Sequence, residues 1–121
     1  MRIVNGLVFC EDGAFHPLEV ETQGDRITAL EPSTAGEGET LDAHGGYVVP
    51  GFVDIHIHGA MGADFSDGDP AGFAAMGEFL LRQGVTSFLG TSMALPEERL
   101  SGVFSAARAL SLIHISEPTR H

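Results

Sequence analysis

Residues 52–58, FVDIHIH, and residues 85–91, VTSFLGT, are two apolar-dominated runs of strand length separated by a stretch with helical spacing. Asp69 can cap a helix there and Pro70 suits its first position. Phe73, Met76 and Leu80 then recur at helical intervals until Gly84 ends the pattern. A second helix opens at Pro96, where Leu100, Val103, Phe104 and Ala107 occupy positions i, i+3, i+4 and i+7. The order is therefore βαβα. Strands joined through a helix run parallel, and a parallel sheet needs cover on both faces, which one or two helices do not supply. A barrel of eight βα units closes such a sheet with about 250 residues, so residues 51–110 amount to about two of its eight units. The expected fold class is α/β, the opening part of a (β/α)8 barrel, and the chain reads as cut short.

The preceding residues have a different rhythm. RIVNGLVF, FHPLEVET and RITALE read as short strands, with Glu11-Asp12-Gly13 and Gln23-Gly24-Asp25 between them as hairpin turns. Residues 32–40, PSTAGEGET, read as a loop, and a last short strand near Gly46 to Val49 leads into Pro50-Gly51. A boundary is expected at residue 50.

Charge and cysteine usage narrow the functional classes. Six Arg and no Lys stand against 17 Asp plus Glu, a net charge of −11 with His neutral. A nucleic-acid or anionic-membrane partner would need clustered positive charge, so neither is expected. Apolar residues make up 43% of the chain, a globular rather than a disordered mixture. Cys10 is the single cysteine, which excludes an internal disulfide framework and a multi-thiolate zinc site. The opening MRIVNGLVFCEDG lacks the pattern of a signal peptide, and no run of 18 apolar residues occurs. The expected location is the cytoplasm.

Chemistry concentrates on the first barrel-like strand. Asp54, His56 and His58 share one parity, so their side chains leave one face while Val53, Ile55 and Ile57 leave the other. Two imidazoles at i and i+2 can converge on one cation at the C-terminal end of a strand, where barrel enzymes place their active sites. Spacing alone leaves an alternative open, because six His in 121 residues give about 0.3 such pairs by chance. The flanks add to the pair: the strand is otherwise aliphatic, Pro50-Gly51 precedes it, and Gly59 at its end permits close approach of a ligand.

YVVPGFVDIHIHG, following NGLVF, GDRITAL and LDAHG, resembles the amidohydrolase superfamily. HIHGAMGADFSD and QGVTSFLGTSM resemble its N-acetylglucosamine-6-phosphate deacetylase family, over residues 1 to about 110. The resemblance implies a small β-sandwich, here partial over residues 1–50, leading into a TIM barrel whose first two βα units are residues 51–110. It implies a divalent metal, zinc or iron, of open identity and number, held by His56 and His58. Asp54 is implied to support the ligands from behind and Asp64 to lie near the substrate, where Gly59 and Thr91 are also expected from their places at the two strand ends. The substrate implied is a small amino-sugar phosphate and the parent enzyme a homo-oligomer. The family's other ligands, a Glu and two His, and the Asp that moves the proton lie on later strands, so no catalytic residue is expected within this chain and it is expected to be inactive alone. Other amidohydrolases, such as dihydroorotases, hydantoinases or deaminases, and a non-catalytic β-rich binding fragment are the competing readings.

The remaining features have plainer readings. Asp64, Asp67 and Asp69 suit helix capping as well as cation binding. His16 and His44 read as surface or turn residues, Thr91 and Ser92 as strand-end hydroxyls, and Met76, Met93 and the Phe residues as core. SLIHISEPTRH, residues 111–121, resembles a translated sequencing-adapter run, so His114 and His121 are not expected to be ligands.

Overall fold

In the computed structural model the described residues are 1–34 and 36–116, the last six by backbone alone. They form two compact units, divided between Pro50 and Gly51.

The first unit is a five-stranded sheet. Strands β1 (Arg2–Phe9), β2 (Phe15–Gln23) and β3 (Arg26–Glu31) run antiparallel in sequence. Both connecting turns carry a glycine with positive φ, Gly13 at 77° and Gly24 at 60°, the conformation for which glycine has no steric cost. Two short strands, β4 (Thr40–Asp42) and β5 (Tyr47–Val48), pair parallel with successive parts of the other edge of β1. Strand β4 was not expected, because its only large apolar residue, Leu41, is itself exposed and leaves no alternation to read. Val8 and Val20 are buried in this unit. Glu19 accepts from the Arg2 guanidinium at 2.7 Å, and from the Thr34 N–H and hydroxyl at 2.9 Å each.

The second unit is mixed α/β. Strand β6 (Phe52–Ile57) is followed by the two-residue strands β7 (Gly59–Ala60) and β8 (Ala63–Asp64), a 3-10 turn (Phe65–Asp67), α1 (Pro70–Arg82), β9 (Val85–Gly90) and α2 (Glu97–Ser116). β6 and β9 pair in parallel, as strands joined through a helix must. Asp69 caps α1, its carboxylate accepting from the Ala71 and Gly72 N–H groups at 3.1 Å each. The helix ends before Gly84, whose φ of 81° takes the chain out of the helical region.

Phe65, Phe73, Met76, Leu80 and Val103 form the core of this unit, with the Phe65 and Phe73 rings stacked 4.9 Å apart. On α2 the inward stripe is Val103, Ala106, Ala107 and Leu110. This corrects the expected stripe through Phe104, which is 54% exposed. Met93 and several phenylalanines, Phe9, Phe15, Phe52 and Phe79 among them, are likewise exposed rather than core. Phe52, Val53, Ile55 and Leu89 leave an uncovered apolar surface on the two-stranded sheet. The described residues do not close a barrel. The expected foreign tail falls on residues whose side chains, and for 117–121 whose backbone, lie outside the described part. Among the described residues no helix is long and apolar enough to cross a membrane.

Candidate metal centre

The centre begins with the two-residue periodicity of β6. His56 and His58 emerge on the same side, and their Nε2 atoms approach to 3.2 Å with the rings edge to face. Two nitrogens bonded to one tetrahedral zinc at about 2.0–2.1 Å stand about 3.3 Å apart, so the pair has the separation a shared cation requires. Among the described residues no group of three or more His, Cys, Asp or Glu is arranged to hold a metal. The described residues therefore bring together two donors. Nδ1 of His58 is buried without a hydrogen-bond partner among the described residues. A ligating histidine ordinarily donates from its second nitrogen to a carboxylate, carbonyl or water, and that position is open here.

The residues around the pair are committed to backbone. The Asp54 carboxylate accepts from the His56 N–H at 3.0 Å, which braces the strand beneath the ring. Gly59 permits a close approach, but to protein: a Cβ there would run into the Ala63 carbonyl across the β7–β8 hairpin. The hairpin turn is Met61-Gly62, both with positive φ, at 57° and 78°.

Asp64 caps the 3-10 turn. Its carboxylate accepts from the Ser66 N–H at 2.7 Å, and Asp67 reaches back to the Asp64 N–H at 3.1 Å, a reciprocal capping box. The Ser66 N–H, then the Ser66 hydroxyl, and more weakly the charge of His58 hold the Asp64 carboxyl below its usual range. The Thr91 hydroxyl donates to the Leu89 carbonyl at 3.4 Å, while its N–H donates to the Ile57 carbonyl at 2.8 Å and closes the end of β6.

Ser66 was not singled out in the sequence. It is buried, and its hydroxyl oxygen accepts from the Met93 N–H at 2.8 Å. The Asp64-Phe65-Ser66-Asp67 spacing signals the cap, but nothing local signals a partner 27 residues away. His16 and His44 belong to the first unit, each beside an aspartate, Asp12 at 2.7 Å and Asp42 at 3.5 Å.

No protein-family profile matches the chain. An N-acetylglucosamine-6-phosphate deacetylase from Lysinibacillus sphaericus is 30% identical over 92 residues, covering 75% of this chain and 24% of that protein. The crystal structure of the deacetylase of that name from Thermotoga maritima superposes with a TM-score of 0.76 at 32% identity, over 96% of this chain and 29% of the other. Sequence and structure neighbours point to the N-acetylglucosamine-6-phosphate deacetylases of the amidohydrolase superfamily. The deacetylase from Pasteurella multocida shares the fold, with a TM-score of 0.85 at 22% identity over 97% of this chain and 32% of the other. A Bacillus subtilis dihydroorotase is 40% identical, but over 57 residues, 46% of this chain. The chain spans about a quarter to a third of the length of the deacetylases it matches.

Proposed function

We propose that the chain is the N-terminal part of a divalent-metal-dependent hydrolase that removes acetate from N-acetylglucosamine 6-phosphate. The observation that carries this reading is the 3.2 Å approach of the His56 and His58 Nε2 atoms at the end of β6. Support comes from deacetylase relatives that span most of the chain, where the dihydroorotase likeness spans under half. In this reading residues 1–50 are part of a small sandwich, residues 51–110 are the first two βα units of a TIM barrel, and residues 111–121 are foreign. The uncovered apolar surface at Phe52, Val53, Ile55 and Leu89 is then where further units pack.

His56 and His58 hold the cation, zinc or iron, through Nε2. When bound, the cation polarises the acetamide carbonyl and lowers the pKa of a water. Asp54 braces the strand beneath the ligands, and Asp64 and Asp67 stiffen the turn beside them. Gly59 and Thr91 shape the rim next to the amino-sugar phosphate. Two donors among the described residues fall short of the three that catalytic zinc sites use, and in this reading the general base lies on a later strand. In this reading the 121-residue chain alone is inactive, and the whole enzyme is cytoplasmic and homo-oligomeric. A second reading, a dihydroorotase-type amidohydrolase, draws on the 40% identity over the shorter match.

Calorimetric titration with Zn2+ tests the centre. The 121-residue chain is expected to bind weakly, and the double substitution His56→Ala, His58→Ala to bind not at all. A tight, stoichiometric site that survives both substitutions refutes the assignment. For the substrate, the source reading frame expressed without interruption is expected to release acetate from N-acetylglucosamine 6-phosphate. Hydrolysis of dihydroorotate instead would favour the second reading.

A further inference from the structure

Three hydrogen bonds form a closed ring round the end of β6. The Phe65 N–H donates to the His58 carbonyl at 2.6 Å, the Met93 N–H to the Ser66 hydroxyl oxygen at 2.8 Å, and the Thr91 N–H to the Ile57 carbonyl at 2.8 Å. Two of the three are backbone to backbone. The third depends on one side chain, and Ser66 is one of two buried polar residues among those described. The ladder between β6 and β9 pairs Ile57 with Gly90 at this end of the strand, but its register slips between Asp54 and Ile57, the segment that carries His56. Where a ladder lapses, the backbone is held by what bonds it from outside.

We propose that Ser66 is a positioning residue for the His56–His58 pair, its buried hydroxyl clamping the turn bonded to His58 against the loop that follows β9. The inference rests on the cation-binding reading above. Groups behind a metal ligand orient it, and their loss commonly lowers metal affinity about tenfold or more. Ser66 acts one bond further back, through the Phe65 backbone, so about tenfold is the expected size of its effect.

The test is a Co2+ titration of the 121-residue chain followed by visible absorption, which reports both affinity and ligand geometry. Ser66→Thr and Ser66→Val add nearly the same bulk, but only threonine keeps the acceptor oxygen. Ser66→Thr is expected to bind Co2+ within about threefold of the parent with the same spectrum, and Ser66→Val about tenfold more weakly with an altered one, both retaining helical ellipticity. Equal affinities for the two variants, or equal losses, overturn the proposal. So does a Ser66→Val chain that fails to fold where Ser66→Thr folds, since the hydroxyl would then serve folding rather than the pair. The His56→Ala, His58→Ala chain is the control. If it binds Co2+ as the parent does, the cation reading itself has failed, an outcome distinct from failure of the Ser66 role.

Discussion

Replacing Met76 by alanine tests whether the site stands on the small core of the second unit. Met76 is wholly inaccessible, enclosed with Phe65, Phe73, Leu80 and Val103. Methionine-to-alanine at such a position removes three heavy atoms from close packing and leaves a cavity that the stacked Phe65 and Phe73 rings cannot readily fill. The cost is about 3 kcal/mol, within the usual range of about 2–5 for such changes. For a unit this small a urea dependence of about 1.5 kcal/mol per molar is reasonable, so the unfolding midpoint falls by about 2 M. Both described helices belong to this unit, so ellipticity at 222 nm follows it directly. Met76→Leu nearly conserves volume and is expected to cost less than about 1.5 kcal/mol. A midpoint shift below about 0.5 M for the alanine variant, or equal shifts for the two variants, would show that Met76 does not hold the unit together.

Two further perturbations probe other parts of the chain. Gly90→Ala places a methyl group against the Phe65 ring, whose Cζ it would meet at 2.7 Å, so a loss of about 1–3 kcal/mol by urea denaturation is expected, with partial recovery in the Gly90→Ala, Phe65→Leu double variant. In the first unit the Thr34 N–H, then the Arg2 guanidinium and the Thr34 hydroxyl, lower the Glu19 carboxyl from its ordinary 4.5 to about 2. Because the folded value is the depressed one, this stabilisation is fully present above pH 4.5 and is lost as the pH falls toward 2. Glu19→Gln should flatten the acid dependence of stability in that window, and an unchanged acid titration followed by Tyr47 fluorescence would contradict the assignment.

The parts of this architecture that were legible in the sequence depend on period and on punctuation. The two-residue alternation of FVDIHIH put both imidazoles on one side of β6, and Asp69-Pro70 with Gly84 bracketed α1 to within a residue or two. Asp-Gly and Gly-Asp pairs located both hairpins of the first unit. The stripe of α2 was read correctly at Val103 and Ala107 but drawn toward Leu100 and Phe104, the more hydrophobic residues, whereas Ala106 and Leu110 are the ones packed at the core. A hydrophobic period fixes that a helix has an apolar face, but when two faces compete, neighbouring volume decides between them. Strand β4 had no alternation to betray it, its one large apolar residue, Leu41, being exposed.

The limit reached at Gly59 and Ser66 is of a different kind. Gly59 could be read as a site of close approach but not what approaches it, and Ser66 gave no signal at all; both are fixed by what arrives from elsewhere in the fold. For Gly59 it is the Ala63 carbonyl across a hairpin; for Ser66 it is the Met93 N–H from beyond β9. The type and spacing of the histidine pair can be read from six or seven letters, and in the fold the two Nε2 atoms stand 3.2 Å apart. Holding that spacing while the β6–β9 register slips requires bonds that close over many residues, and these leave no periodic trace in the sequence. A two-histidine motif is therefore visible well before the support that makes it a stable pair of donors, and that support, rather than the motif, separates a metal centre from two histidines that happen to face the same way.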